Sequence, residues 1–436
     1  MIMKKILALL FALLMVFSMV ACGNKEQTPP ADDSPKAETP AVTEDSTAKP
    51  YEGITLTYSN YIRVDEATDT AFYNDLFDAF EEETGATVEV MLYDAGNNTA
   101  QLNATLAAGA APDVFGYGGG NEATMVANGF LEELDGYFSE EQKAEWLHYA
   151  GALTNGGHYV IPFSGGASYR VIFMNKTLCE ELNLEIPEYE DFTWDTLLTY
   201  GKEAVAAGKK GYVAPWIGDA NAPMCNYINF LYQAGGSILD ENGDYALNSP
   251  ESIAAMKFIY DMFNTDKIVD SVNYTYDNAV ATFNEGESLF LGAGVWSTAA
   301  LSDTFEIEAY HMQGERYGCA NAIDYISMNS ASEHKDAAAA LMSFLMKTEN
   351  WSKKNDVLHK GSGVILSTVD TSAALDPRVA HLASECDNFW TFPAKEGISE
   401  ACELMITHPQ LVAMGDETPE EACQAMQDAI EAILAD

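Results

Sequence analysis

Positive charge is scarce in this chain. Only 22 Lys and Arg stand against 67 Asp and Glu, a formal net charge of −45 over 436 residues. A surface of that sign repels phosphate backbones, so nucleic acid is excluded as a partner. Long apolar runs are scarce too. Only Ile6 to Val20 is continuously apolar, and its 15 residues fall short of the roughly 20 that a bilayer-crossing helix needs. The motifs of common catalysts are missing: no G-x-S-x-G elbow, no P-loop, no H-E-x-x-H and no G-x-G-x-x-G. The seven histidines are scattered, and the seven cysteines include no C-x-x-C and no zinc-like pairing with histidine. No metal and no cofactor is therefore expected. Paired carboxylates for glycoside hydrolysis are always available among so many acids, but no spacing singles one pair out.

The amino terminus reads as a targeting segment, with Lys4 and Lys5 ahead of the apolar run. Ser18-Met19-Val20-Ala21-Cys22-Gly23 resembles a bacterial lipobox, although that motif usually carries Leu where Met19 stands. The resemblance implies a lipoprotein signal peptide over 1–21, cleavage before Cys22, and transfer of a diacylglycerol, with palmitate-type chains, to its thiol. Residues 22–50 then form a disordered linker: Gly23 to Pro50 holds five prolines and no aromatic residue, so it buries no core. Lipid and leash together predict a domain held at the outer face of the bacterial cytoplasmic membrane. The six remaining cysteines, Cys179, Cys225, Cys319, Cys386, Cys402 and Cys423, allow up to three disulfides in an exported chain.

From Tyr51 onward the pattern is α/β, and the length favours two lobes. Ile54, Leu56 and Tyr58 alternate as a strand, Phe72 to Phe80 form one helical face closed by Gly85, and Val88, Val90 and Leu92 make a second strand. Leu102 and Leu106 mark another helix, with Gly109 to end it. The short strand Asp113 to Phe115 then empties into a glycine turn, Gly116 to Gly120, and a new helix starts near Asn121. In open α/β sheets ligands collect at such strand ends. Thr193 caps a helix that Gly208 ends, which makes Trp194 a packing residue. Asp240, Asn242 and Asp244 hint at a calcium loop. However, Gly243 precedes Asp244 and no glutamate closes the loop, so a polar turn is expected.

Several of these pieces, in order, resemble the family 1 extracellular solute-binding proteins. They are A-x-G-x-A-P-D-V at Ala107–Val114, Thr193-Trp194-Asp195-Thr196-Leu197, and Phe283-x-x-Gly286 followed by Gly294-x-Trp296. Glu333-His334-Lys335-Asp336 and the terminal Thr418-Pro419-Glu420-Glu421 helix continue the series, so the resemblance covers nearly all of Tyr51 to Asp436. It implies a type II periplasmic-binding-protein fold: two doubly wound α/β lobes, a hinge and an interlobe cleft. Lobe 1 would hold 51–165 plus 319–361, and lobe 2 would hold 166–318 plus 362–436. The hinge would lie at Gly165 and Gly166.

The same resemblance implies a monomeric binding protein, not an enzyme, that hands a small solute to the permease subunits of an ABC importer. A carbohydrate suits the aromatic content, because sugar faces stack on aromatic rings while their hydroxyls hydrogen-bond to polar groups. Carried across position by position, the ligand-binding residues would be Asn60, Tyr61, Arg63, Tyr117 and Asn121 from lobe 1. Lobe 2 would offer Trp216, Asp219 and Trp296, with Tyr169 beside the hinge and Trp390 near the end. Alternatives are a binding protein for a polyamine, which the acidic charge would suit, and a secreted glycan hydrolase.

Overall fold

Each expected helix-to-strand junction is made by a residue suited to it. In the computed structural model, β1 (Thr55–Tyr61) leads to α1 (Glu66–Thr84), whose first turn is capped by the Asp65 carboxylate accepting from the Thr68 N–H. Gly85, at φ 84°, ends α1 and leads into β2 (Thr87–Tyr93). After α2 (Asn98–Ala107), Gly109 adopts φ 66°. Next come β3 (Val114–Gly118), α3 (Glu122–Ala127) and β4 (Ile161–Gly165). The second half of the molecule opens with β5 (Val171–Asn175), α4 (Trp194–Ala206), β6 (Lys210–Val213), α5 (Ala222–Gln233) and α6 (Pro250–Tyr260). It continues with β7 (Ser288–Ala293) and β8 (Ile307–Tyr310). The chain then goes through β9 (Ile323–Met328), α7 (Lys335–Leu345), α8 (Thr348–Leu358), α9 (Ile398–Met414) and α10 (Pro419–Ala435). The structure describes residues 49–94, 98–119, 121–154, 156–165, 171–216, 222–318, 323–358, 365–370, 376–383 and 395–435. The signal, Cys22 and the linker up to residue 48 lie outside these, as do Gly166, Cys319 and Cys386.

Two sheets organise the lobes. The first has the order β2-β1-β3-β9-β4 and the second β8-β5-β7-β6. β1, β2 and β3 are parallel, and β9 runs antiparallel to both β3 and β4. In the second sheet only the β6–β7 pairing is parallel, while β5 runs against both β7 and β8. Both faces of each sheet are covered, so their inner strands are continuous apolar runs. On β5, Ile172 and Met174 face one core while Val171 and Phe173 face the other. On β3, Val114 faces the core under α1 and α7, and Phe115 and Tyr117 face the core under α2 and α3. Ile365 and Leu366 still pack into the first lobe's core, and Val379 and Leu382 into the second's.

Local details follow the sequence closely elsewhere. The Thr193 hydroxyl accepts from the Thr196 N–H at 3.1 Å, and Trp194 stacks on Phe258 with ring centroids 4.2 Å apart. The Asp240 segment is a hairpin turn, closed by the Leu239–Tyr245 bridge, with Asp240 Oδ1 accepting from the N–H groups of Asn242 and Asp244. Its carboxylate is thus spent on its own backbone, and no calcium loop forms. Among the described residues Cys179, Cys225, Cys402 and Cys423 form no disulfide. Burial pushes the Cys179 and Cys423 thiols up to about 11 and that of Cys402 to about 12, which leaves them inert as nucleophiles at neutral pH.

Candidate functional site

Strand direction brings the chemistry to one edge of each sheet. The carboxyl ends of β1, β3 and β4 and the amino end of β9 meet at the same edge of the first sheet, since Asp324 pairs with Gly118 on one side and Ser164 on the other. In the second sheet the carboxyl ends of β6, β7 and β8 share an edge with the amino end of β5, where Val171 pairs with Ala293. The chain passes from Gly165 at the first edge to Val171 at the second in six peptide steps, a reach of at most about 20 Å. It returns from Tyr310 to Ile323, again from edge to edge. The two edges are thus tied together, and the lobes also touch where the Thr124 and Ser399 hydroxyl oxygens lie 3.3 Å apart.

On the first edge, Tyr61, Arg63, Asp324 and Ser164 form a connected cluster. The Arg63 guanidinium lies flat over the Tyr61 ring, 3.6 Å from its centroid, and its Nη2 donates to Asp324 Oδ2. The Ser164 hydroxyl donates to the same carboxylate oxygen at 2.6 Å. The Arg63 and Asp324 side chains keep 19% and 18% of their surface exposed. Burial opposes the charge on Arg63, yet Asp324 and Tyr61 outweigh it and raise its pKa above the ordinary arginine value. Burial likewise pushes the Tyr61 phenol well above its usual range, against the pull of Arg63. Arg63 Nε is buried with no acceptor among the described residues. The loop that presents the cluster is tied down by Asp69, fully buried in the first turn of α1. Its carboxylate accepts from the backbone N–H groups of Arg63 at 2.7 Å, Val64 at 3.0 Å and Asp65 at 3.3 Å.

On the second edge, Trp296 stands in the 3-10 turn that follows β7 and is 37% exposed. Its indole lies directly on Gly294, where any Cβ would come within 2.1 Å of the ring. The glycine of the G-x-W motif is therefore the shelf on which the tryptophan rests. Trp216 behaves differently. It is fully buried after β6, edge-to-face with Phe263 at 5.1 Å, and its Nε1 has no acceptor among the described residues.

Three of the expected contact residues are thus inside the fold. Asn60 is buried on the same face of β1 as Tyr58, and its Nδ2 donates to the Tyr58 and Tyr73 hydroxyls at 2.9 and 3.1 Å. Gly116 makes room for it, since a Cβ there would meet Asn60 Nδ2 at 2.7 Å. Tyr117 is buried because β3 runs on through Gly118, held by β9, rather than turning at Gly116. Its ring faces the core under α2 and α3, and its hydroxyl lies 3.2 Å from Ser327 Oγ. Asn60, Tyr117 and Trp216 shape the walls from within, with no surface for a solute. Asn121 is half-buried at the amino end of α3 without a side-chain cap bond. Tyr169, Asp219 and Trp390 lie outside the described residues. Tyr117→Phe should accordingly cost about 1 kcal/mol of stability, one buried hydrogen bond, and leave solute affinity unchanged. Calorimetric titration beside chemical denaturation checks this; a tenfold loss of affinity would place the phenol at the solute.

Sequence reasoning missed Asp324, Ser164 and Asp69. It also missed Lys354, whose buried Nζ donates to the Phe163 carbonyl at 2.7 Å alongside Trp351 Nε1 at 2.9 Å. Among the described residues no group of three or more potential ligands is placed to hold a metal ion. A pocket of about 270 Å³, lined by Lys176, Glu306, Glu308 and Arg378 among others, opens at the far end of the second sheet. There Lys176 pairs with Glu306 at 3.2 Å and Arg378 with Asp376 at 2.8 Å, so both of its cations are already paired.

Comparison with known proteins agrees with this architecture. A solute-binding protein of an ABC transporter from Thermotoga lettingae, bound with alpha-D-tagatose, superposes with a TM-score of 0.73 at 21% identity, over 87% of this chain and all of that one. An ABC substrate-binding protein of Listeria monocytogenes in complex with cycloalternan gives 0.73 at 19% identity, over 88% and 99%. At that identity the likeness establishes the fold, the two-lobed type II periplasmic-binding-protein fold. An arabinooligosaccharide-binding protein of Halalkalibacterium halodurans is 28% identical over 153 residues, 34% of this chain and 32% of that protein. The chain spans about a third to just over half the length of the curated relatives it matches. The model of the bacterial extracellular solute-binding proteins matches residues 65–350, from the first turn before α1 to the start of α8. With two sheets joined edge to edge by the chain and that match over most of its length, the chain belongs to the bacterial extracellular solute-binding protein family.

Proposed function

We propose that this protein captures a carbohydrate between its lobes and delivers it to the permease of an ABC importer, held at the membrane surface by a lipid on Cys22. The observation that supports this reading is the pair of sheet edges that the chain crossings join. One carries the Tyr61–Arg63–Asp324–Ser164 cluster, rich in hydrogen-bonding groups, and the other an exposed indole on a glycine shelf. A sugar has matching parts, an apolar ring face for the indole and a rim of hydroxyls for the polar cluster. Relatives whose names or bound ligands are sugars, from arabinooligosaccharide to tagatose and cycloalternan, favour the same class. A cationic solute such as a polyamine is less well served, because the Asp324 carboxylate at the edge already holds Arg63. Solute that contacts both lobes stabilises the closed form by its differential affinity, and Gly165 and Gly166 are the hinge positions we assign.

A thermal-shift screen against sugars, oligosaccharides and polyamines tests the reading. A sugar present at a hundred times its Kd should add about 2.7 kcal/mol of stability. Trp296→Ala should weaken that sugar at least tenfold while leaving the melting temperature of the unliganded protein within a few degrees. Turnover of a glycan by the pure protein, or binding of polyamines alone, would refute it.

A further inference from the structure

We propose that Asp324 sets the class of sugar this site accepts: by pairing in advance with Arg63, it makes the first lobe's edge favour uncharged sugars over their carboxylated, uronate counterparts. The inference rests on the carbohydrate reading above and goes one step further, to charge selection.

Arg63 is the feature that would otherwise recruit an anion. It stands just after β1 at the first sheet's edge, in a chain that is acidic overall, stacked on an aromatic ring, and a guanidinium is the side chain suited to fork onto a carboxylate. Here one arm of the guanidinium is already engaged. Nη2 is taken by Asp324 Oδ2, and the Ser164 hydroxyl donates to that same oxygen and holds it in place. Asp324 itself is fixed by register between two strands. Across from it stands Gly118, where even an added Cβ would remain 3.7 Å from Oδ1, so the carboxylate has room on that side. An arriving uronate meets a guanidinium and a carboxylate at similar distances, and their fields cancel at the range over which charge steers a ligand. What the pair leaves open is directional and uncharged. Arg63 Nε is buried and turned away from solute, so the exposed part of the pair is the guanidinium end that Asp324 already neutralises. The arrangement thus offers no net attraction to an anion, and an uncharged hydroxyl loses nothing by that.

The test compares matched pairs by titration calorimetry: glucose with glucuronate, galactose with galacturonate, and galactobiose with digalacturonate. Wild-type protein should bind the neutral member of a pair at least tenfold more tightly. Asp324→Asn frees the Arg63 charge and should shift that ratio toward the uronate by tenfold or more. Arg63→Met leaves Asp324 unbalanced and should shift it the other way. The double variant should return to the wild-type ratio. Because each ratio is taken on one protein, a loosened fold that weakens both ligands equally does not move it. If Asp324→Asn fails to fold by circular dichroism, Arg63→Met decides alone. Ratios unmoved in the folded variants, or a wild-type preference for uronates, overturn the inference while the carbohydrate reading survives. Wild-type protein that binds no member of any pair and no sugar or oligosaccharide in the thermal-shift screen refutes that reading, and the inference falls with it.

Discussion

Asp69→Ala should lower the stability of the protein by about 3 kcal/mol and abolish solute binding. The carboxylate is fully buried and accepts from three consecutive backbone N–H groups, those of Arg63, Val64 and Asp65. Hydrogen bonds to a charged group are worth roughly 1.5–3 kcal/mol each, and the sum is tempered because the loop can relax toward water once released. Alanine leaves those donors without a partner and frees the segment that carries Tyr61 and Arg63. Asn at the same position keeps an acceptor for one side of the turn and should lose about half as much. Urea denaturation together with sugar titration measures both effects. An alanine variant within about 0.5 kcal/mol of wild type, with affinity intact, would show that the loop is held by something else.

Lys354→Met should make the protein more stable near neutral pH and flatten its dependence on alkaline pH. The Lys354 amine is buried over the Phe163 ring, 3.2 Å from the centroid, and donates to the Phe163 carbonyl. Burial pushes its pKa well below the lysine range, Arg63 adds to the shift, and Asp324 opposes it. Between that depressed value and the unfolded value near 10.4, the unfolded chain holds a proton that the folded chain has released. Stability therefore rises with pH across that window, by up to about 1.4 kcal/mol per unit, and below the folded pKa the penalty of the buried charge is fully present. Methionine fills a similar volume without that penalty. The Phe163 carbonyl keeps its bond from Trp351 Nε1. Denaturation midpoints measured from pH 7 to 10 decide the matter: a variant that is less stable at pH 7 and keeps the wild-type slope would mean that the ammonium stabilises the fold.

The α/β architecture was legible because its signals are local. Gly85, Gly109, Thr193 and Gly208 each act within a few residues of where they stand, and the periodicity of α1 can be read without any partner. The site was harder, for a reason that Tyr117 makes plain. A run of glycines after a short apolar strand looks like a turn, and a tyrosine in a turn looks exposed. The strand goes on because β9, two hundred residues later, pairs with it as far as Gly118, and a strand residue of that parity faces the core. Asp324 had no local signal either. Its meaning comes from lying between Gly118 and Ser164 in register, which no window of sequence contains. Lys354 sits in a polar helix that reads as solvated, yet its face of α8 packs against the first lobe's core. Trp296 and Trp216 were both expected at the solute; Trp296 is 37% exposed, whereas Trp216, also a tryptophan following a strand, fills the interior. What separates them is the shelf at Gly294 and the ring of Phe263, both matters of packing.

The place of β9 in the first sheet bears on how the chain must be made. β3 and β4 are translated early, but the strand that joins them arrives only after the whole of β5 to β8 has been synthesised. A nascent chain ending near Tyr310 has every other strand of that sheet, but β3 ends it as an unpaired edge and β4 has no strand to pair with. Such a chain cannot lock its leading half prematurely. It waits for a late segment to close the seam, at the cost of slow folding through contacts far apart in sequence.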